Sequence, residues 1–372
     1  MINKLNKSIT KKIMKKFFIF AAAAIVALAA CTKTEIDSST KKDRTINFTA
    51  VAGKATKAPI ESTYYPTDIP FGVYAYALTA GKTWADDSAD GQLYMDNETV
   101  SYNTTVDANG IYATATTYYW PLSGTLTFVG YSPKATTGTV AYNKSSKVLS
   151  VTDFTVNSSA ASQQDLMWAT TQSGCTDVST ADKSNYLSAQ GDQASVNQGV
   201  EMLFHHALSQ VKFNVKKAAG LDDYTITVNA ISFHAKNKGT LTVTADVASW
   251  GTSAAYLTEG AFDYSAGSNL SVVAPNNSAT SFASFGVANM PVPQALTAND
   301  QTFTITYSLA KGQVDLGQKT TDPISLLGGD VTSWEPNTIY NYNIVIDLKK
   351  IYFSPTIAAW ETPEQNQQIN AQ

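Results

Sequence analysis

Cys31 is the first residue of the chain with an evident chemical use. It stands directly after Leu28-Ala29-Ala30, at the end of an apolar run over 17–30 that follows Lys15 and Lys16. A basic start, a short apolar middle and small residues ahead of a cut site form the pattern of a bacterial secretory signal, cut between Ala30 and Cys31. An apolar run of about 14 residues is short for a mature helix crossing a bilayer. The bland alternative is an ordinary signal followed by an incidental cysteine. Met14 reads as the more natural start, with 1–13 as an over-extended beginning.

Catalytic chemistry is hard to assemble from the rest. The three histidines are His205, His206 and His234, each beside apolar neighbours. Hydrogen-bonded structural histidines are the expectation at all three, and no His, Cys or carboxylate spacing suits a metal. Nucleophile elbow, phosphate loop and dinucleotide fingerprint are all absent from the sequence,. The reading is therefore no catalytic residue, no metal, no cofactor and no enzyme. One fragment, Asp86-Asp87-Ser88-Ala89-Asp90-Gly91, opens like a calcium loop, with alternating oxygens and a sixth-position glycine,. Its twelfth position is Asn97, with Glu98 one residue late, so a plain acidic loop competes. Among the tryptophans, Trp84 is expected to be exposed, where a sugar could stack on it. Trp120, Trp168 and Trp250 are expected in the core.

The balance of charge excludes several partners. Six of the 26 basic residues lie in the signal, which has no acid; 20 then face 30 acids, a net charge of −10 on the mature chain. That argues against nucleic acid and against a basic membrane-binding face. After Cys31 only Cys175 remains, so no internal disulfide is expected,. The length allows two domains.

The elements that would carry any site are strands. Beta-branched and aromatic residues abound, charge is 15%, and short alternating runs are broken by Gly, Asn, Asp, Ser and Pro. This predicts an all-β sandwich or barrel. Residues 32–43 form a polar tether. In 44–51, Ile46, Phe48 and Ala50 share one face and Asn47 and Thr49 the other, which predicts a strand,. A linker containing Lys57-Ala58 follows. Further strands are expected at 71–77, 126–131, 148–156 and 165–169, and a long polar loop over 80–110. The run 200–215 predicts two strands around a turn at 206–210. Later strands are expected at 224–233, 240–244, 270–273, 284–287, 302–308 and 337–348. A last apolar segment covers 351–360, ahead of a polar tail over 361–372.

Two resemblances follow from these residues. Leu28-Ala29-Ala30-Cys31 resembles the lipobox of bacterial lipoproteins, which implies cutting before Cys31 and acylation of its thiol. Acyl chains contribute about 0.8 kcal/mol per buried CH₂, so several hold firmly. The chain as a whole resembles the fimbrillin family, the lipoprotein pilins of Bacteroidales. The residues that carry this are Cys31 and the strand at 44–51; Asp165-Leu166-Met167-Trp168-Ala169; Leu203-Phe204-His205-His206-Ala207-Leu208-Ser209-Gln210-Val211; and Tyr340-Asn341-Tyr342-Asn343-Ile344 with Ile351-Tyr352-Phe353-Ser354-Pro355 and Trp360.

The resemblance implies two transthyretin-like β-sandwich domains after a lipoprotein signal peptide. The signal covers 1–30, the tether 31–44, the N-terminal domain 45–199, the C-terminal domain 200–360 and the tail 361–372. It implies a palmitate-bearing lipoprotein of the cell outer membrane, surface-exposed, acting in cell adhesion as part of a fimbrium. Its partners would be other fimbrial subunits and a surface ligand. In fimbrillins a protease cuts after an Arg behind the first strand, and another subunit's strand fills the groove by strand exchange. Here the displaced strand carries Ile46, Phe48 and Ala50. The sequence departs at the cut, because its single arginine, Arg44, precedes that strand. Three outcomes stay open: cutting after Lys57 to leave Ala58 first, cutting after Arg44, and no cutting. The donor strand is equally open. Ile351, Phe353 and Ile357 could line one, or 351–360 could be the last strand of the second domain itself. A surface glycan-binding lipoprotein is the alternative function.

Overall fold

Alternation becomes strand almost wherever the sequence shows it. The structure, a computed structural model, describes residues 45–52, 65–103, 111–121, 123–176, 199–252, 262–263, 272–276, 282–348 and 351–360. The first half gives β1 (Phe48–Ala52), β2 (Phe71–Leu78), β3 (Gln92–Asn103), β4 (Ile111–Thr114), β5 (Thr125–Ser132), β6 (Thr139–Asn143), β7 (Val148–Thr155) and β8 (Met167–Thr176). The second gives β9 (Val200–His206), β10 (Gln210–Lys217), β11 (Tyr224–Phe233), β12 (Lys238–Thr244), β13 (Val247–Thr252), β14 (Phe262–Asp263), β15 (Val272–Val273) and β16 (Ala283–Asn289). It continues with β17 (Gln294–Ala295), β18 (Thr302–Lys311), β19 (Val314–Thr320), β20 (Ile324–Ser325), β21 (Ser333–Trp334), β22 (Thr338–Ile346) and β23 (Ile351–Ala359). On β22, Tyr340, Tyr342, Ile344 and Ile346 are buried and the residues between them are half-buried, as period two requires.

Seven strands close into a barrel in the order β1-β4-β3-β2-β5-β8-β9. The second half builds a sandwich. Its sheet β16-β10-β22-β23 faces the sheet of β11, β18 and their neighbours. Phe213 of β10 joins the two layers, with ring centroids 5.9 Å from Phe233 of β11 and 5.5 Å from Phe303 of β18. A third sheet, β13-β12-β7-β6, pairs β7 with β12 and so draws strands from both halves. Gln163 adds a buried polar link: its amide donates to Asn289 Oδ1 at 2.6 Å and accepts from the Met290 N–H at 2.6 Å.

The stretch 80–110 was expected to be a polar loop, and this is corrected. It contains α1 (Trp84–Asp87) and the twelve-residue β3. On β3 the buried residues are Met95 and Val100, an odd spacing that hides the alternation. Between them Asn97 holds φ 52, and the pairing with β2 shifts register there. A bulge of this kind flips which positions face inward. Among the other strands the sequence did not announce are β6, β13 and β19. β6 and β13 are edge strands whose inner faces, Val140 and Tyr142 on one and Ala248 and Trp250 on the other, are only half-buried, and β19 is exposed along its whole length.

Candidate functional site: the closing strand of the barrel

A closed ring whose neighbours all run antiparallel must have an even number of strands. Seven strands therefore force one parallel seam, and it falls between β1 and β9. Five residue pairs make that seam, from Phe48↔Val200 to Ala52↔Phe204. Parallel pairing is slightly weaker per residue than antiparallel. On its other side β1 meets β4 through the single pair Phe48↔Tyr112, whereas β2 and β5 share seven pairs. Two backbone bonds extend the hold: Ile46 N–H donates to Tyr118 O at 2.9 Å, and Val200 N–H to Asn47 O at 2.7 Å.

Side chains anchor the strand more firmly than its ladder does. Ile46 and Phe48 are 1% and 0% exposed, and Ala50 packs partly buried against the same core. The Phe48 ring meets Phe71 and Phe128 edge-on, at 6.0 Å and 5.7 Å. Behind it stand Tyr65, Tyr112 and Phe204, with Tyr65 5.0 Å from Phe204 and 5.5 Å from Tyr112. The Tyr65 hydroxyl lies 2.6 Å from Ser132 Oγ, and Tyr112 Oη donates to Tyr65 O at 2.9 Å. Burial pushes both phenols far above their ordinary range. A glycine is required beside the seam: a Cβ on Gly199 would stand 2.3 Å from the Phe48 nitrogen.

A second node ties the barrel to the last strand. His206 ends β9 and is buried. Its Nδ1 lies 3.0 Å from Asp165 Oδ2, and its ring stacks on Trp360 at 3.9 Å and 7°. An ionised Asp165 can only accept, so Nδ1 carries a hydrogen in this pair. Trp360 N–H donates to Asn337 O at 3.1 Å, and β23 runs along β22 through nine residue pairs.

Three separated sequence motifs thus meet at one buried point, and the family comparison rests on the same stretch of chain. The profile described as fimbrillin-like matches residues 67–360. This chain belongs to the fimbrillin-like family. Among solved structures, the fimbrillin-like chain is similar to a fimbrial protein from Bacteroides vulgatus ATCC 8482. Identity is 16%, coverage is 85% of this chain and 99% of that one, and the TM-score is 0.56, a likeness of fold. It also matches a candidate cell adhesion protein from Bacteroides uniformis ATCC 8492 at 16% identity, 85% and 98% coverage and TM-score 0.46. A candidate polysaccharide-binding protein from Bacteroides thetaiotaomicron VPI-5482 matches at 9% identity, 87% and 99% coverage and TM-score 0.38. No curated protein matches the chain.

Of the residues singled out in the fimbrillin-like sequence, Phe48 and Ala50 lie on β1 and Ile46 lies two residues ahead of it, all three against the same core. Ala30, Cys31, Arg44, Lys57 and Ala58 lie outside the described residues. Four of the five acids of 86–98 are engaged within the protein. Asp86 and Asp87 accept from Thr83, Asp90 pairs with Lys82, and Glu98 accepts from Tyr118 Oη at 2.8 Å. Trp84 was expected to be exposed and is 7% exposed; it lies against Tyr76, at 5.7 Å, because α1 folds its ring inward. Trp168 is buried as expected, while Trp120 and Trp250 are half-buried. The Asp165–His206–Trp360 contact escaped sequence reasoning: the motifs were visible, but their meeting is a tertiary event.

Proposed function

We propose that this chain is a subunit of a surface fimbria, exported as a lipoprotein through Cys31 and assembled by strand exchange at the β1 groove. The observation that carries this is the attachment of β1. The strand and the residues just ahead of it bury Phe48 and Ile46 in the core, yet its ladder consists of one parallel seam and one antiparallel residue pair. Burial of two such side chains contributes roughly 1.5–3 kcal/mol each, which a partner's apolar strand would restore. Once β1 leaves, β4 and β9 present unpaired edges, the template for strand addition. The segment 53–64 behind β1 contains Lys57-Ala58, the bond whose cutting would let the strand go. Cutting after Arg44 would instead free the tether and keep the barrel closed.

The two-lobe organisation over 45–199 and 200–360 belongs to the same proposal. β9 pairs with β1 and β8, so in this reading the first lobe also takes in Val200–His206 and the second begins behind it. In this reading β23 is the last strand of its own sheet. Its exposed Ile357 (56%) faces away from the core and is available to a neighbouring subunit.

The test is the N-terminus and intact mass of the protein recovered from the cell surface. A chain beginning at Ala58 in SDS-resistant high-mass ladders is expected. A lipidated chain beginning at Cys31 and found solely as a monomer would end the polymerising reading.

A further inference from the structure

A strand edge with unpaired N–H and C=O groups invites another strand, and proteins blunt such edges with bulges, charges, prolines or short strands. The two sheets of the sandwich end in β14, β19, β16 and β23, and each is guarded in this way. β14 is two residues long, and β23 carries Pro355. β16 and β19 both shift register against their neighbours, and β19 adds Asp315 and Lys319.

β6 has none of these devices. It pairs with β7 through five unbroken residue pairs, from Thr139↔Thr152 to Asn143↔Val148. Among the described residues nothing pairs with its other side. Nine consecutive residues, 135–143, carry no charge and no proline. β13, the opposite edge of the same sheet, is weakened by Gly251,.

A seat for a further strand lies beside this edge. A groove of about 810 Å³ is lined by the β6–β7 hairpin and by Tyr76 and Leu93 of the barrel wall. The rings of Tyr74 and Tyr76 on β2 lie 6.2 and 5.7 Å from Tyr142, so β6 covers β2. Leu93 pairs with Tyr76 from β3, one strand further out. The covering sheet stops short of it, and Leu93 is left 52% exposed.

The residues of β6 fit a second copy of themselves. Turned antiparallel about Ala141, the strand sets Val140 opposite Tyr142 of the second copy, Ala141 opposite Ala141 and Thr139 opposite Asn143. A β-branched residue beside an aromatic one is a favourable cross-strand pair, and no like charges meet. A twofold contact requires a self-complementary patch of this kind.

We propose that a second copy of this chain docks on β6, strand against antiparallel strand, and joins the two four-stranded sheets into one. Leu93 of each copy closes the groove beneath the joint. The contact uses neither β1 nor β23, so it is separate from strand exchange at the barrel seam. It is short, and contacts of small area associate weakly.

The experiment is sedimentation velocity of the whole mature chain under reducing conditions, with Cys31→Ser to keep lipid off and an uncut N-terminus checked by intact mass. A monomer–dimer equilibrium in the micromolar range is expected. Ala141 is exposed and stands on the proposed twofold axis, which makes the test specific to this register. Ala141→Lys and Ala141→Asp each set like charges opposite one another, and each is expected to lose the dimer. Mixed in equal amounts, the two variants are expected to dimerise again. Leu93→Ser, on the exposed groove wall, is expected to weaken the dimer about tenfold or more. Near-ultraviolet circular dichroism checks that the variants remain folded. A monomer throughout the micromolar range overturns the proposal. So does a dimer that survives in both charge variants, a mixture that fails to pair, or growth past the dimer, which would join β6 to a different strand. None of these outcomes depends on cutting behind β1, so this pairing and strand exchange stand or fall separately.

Discussion

Phe48→Ala is expected to open the barrel at its seam before anywhere else. The Phe48 side chain is fully buried and meets Phe71 and Phe128 edge-on. Truncating a buried phenylalanine to alanine costs about 3–5 kcal/mol, the lost transfer energy plus the cavity left behind. The two edge-on ring pairs account for about 0.5–1.5 kcal/mol each of that. The ladder cannot compensate, because β1 has one residue pair with β4 and a parallel seam with β9. A loss of about 3–5 kcal/mol multiplies the opening constant by two to nearly four orders of magnitude. A protein of this length is a poor subject for a single unfolding curve. Native-state amide exchange reads the opening locally instead. The reporters are Ile46 and Val200, whose N–H groups donate to Tyr118 O and Asn47 O. The reference is His234, which donates to Thr302 O in the sandwich. Exchange at Ile46 and Val200 should rise at least a hundredfold while His234 stays unchanged. A rise below tenfold, or an equal rise at all three, would refute the reasoning.

Four further outcomes follow from the same geometry. Trp360→Ala removes the ring stacked on His206 and should cost about 3–5 kcal/mol, read as faster exchange along β23 with β18 unaffected. Asp165→Ala leaves the His206 Nδ1 hydrogen without its acceptor and should cost about 1.5–3 kcal/mol in urea titrations of the β8–β9 region; no change would mean the pair is idle. Gly199→Ala places a Cβ against the Phe48 nitrogen and should destabilise the seam by about 1–3 kcal/mol, seen as accelerated exchange at Val200. Alkaline stability is the fourth. Burial pushes the Tyr74 and Tyr142 phenols from 10.0 up to about 12. The unfolded chain therefore ionises first, so their contribution is intact below pH 10 and is lost as pH rises toward about 12,. Melting temperature should fall across that window, and a flat profile would contradict it.

Most of the fold was legible because burial writes itself into alternation. β22 shows this plainly, with Tyr340, Tyr342, Ile344 and Ile346 all buried, and so does the double run that became β9 and β10. The signal failed where one of its two conditions lapsed. β3 buries Met95 and Val100, but its bulge at Asn97 breaks the period. β19 keeps its strand through pairing with β18 while burying nothing, so its residues carry no pattern. Ile46, Phe48 and Ala50 could be placed on one strand from spacing alone. That the strand closes a ring, and with which polarity, depends on pairings set far away in the chain. The contact of Asp165 with His206 and Trp360 is of the same kind, three local motifs whose relation exists only after folding.

The odd number of staves has a consequence for any strand that replaces β1. Counting around the ring from β9, the remaining six alternate in direction, so β4 and β9 run opposite to one another. An incoming strand therefore cannot run antiparallel to both. In the orientation of β1 it repeats the parallel seam along the longer edge. Inserted head to tail, it would run antiparallel along β9 and leave the weaker seam on the short edge of β4. The gap thus favours a replacement of opposite polarity to the strand it displaces, and exchange in that sense would be driven downhill by direction alone, even between identical sequences.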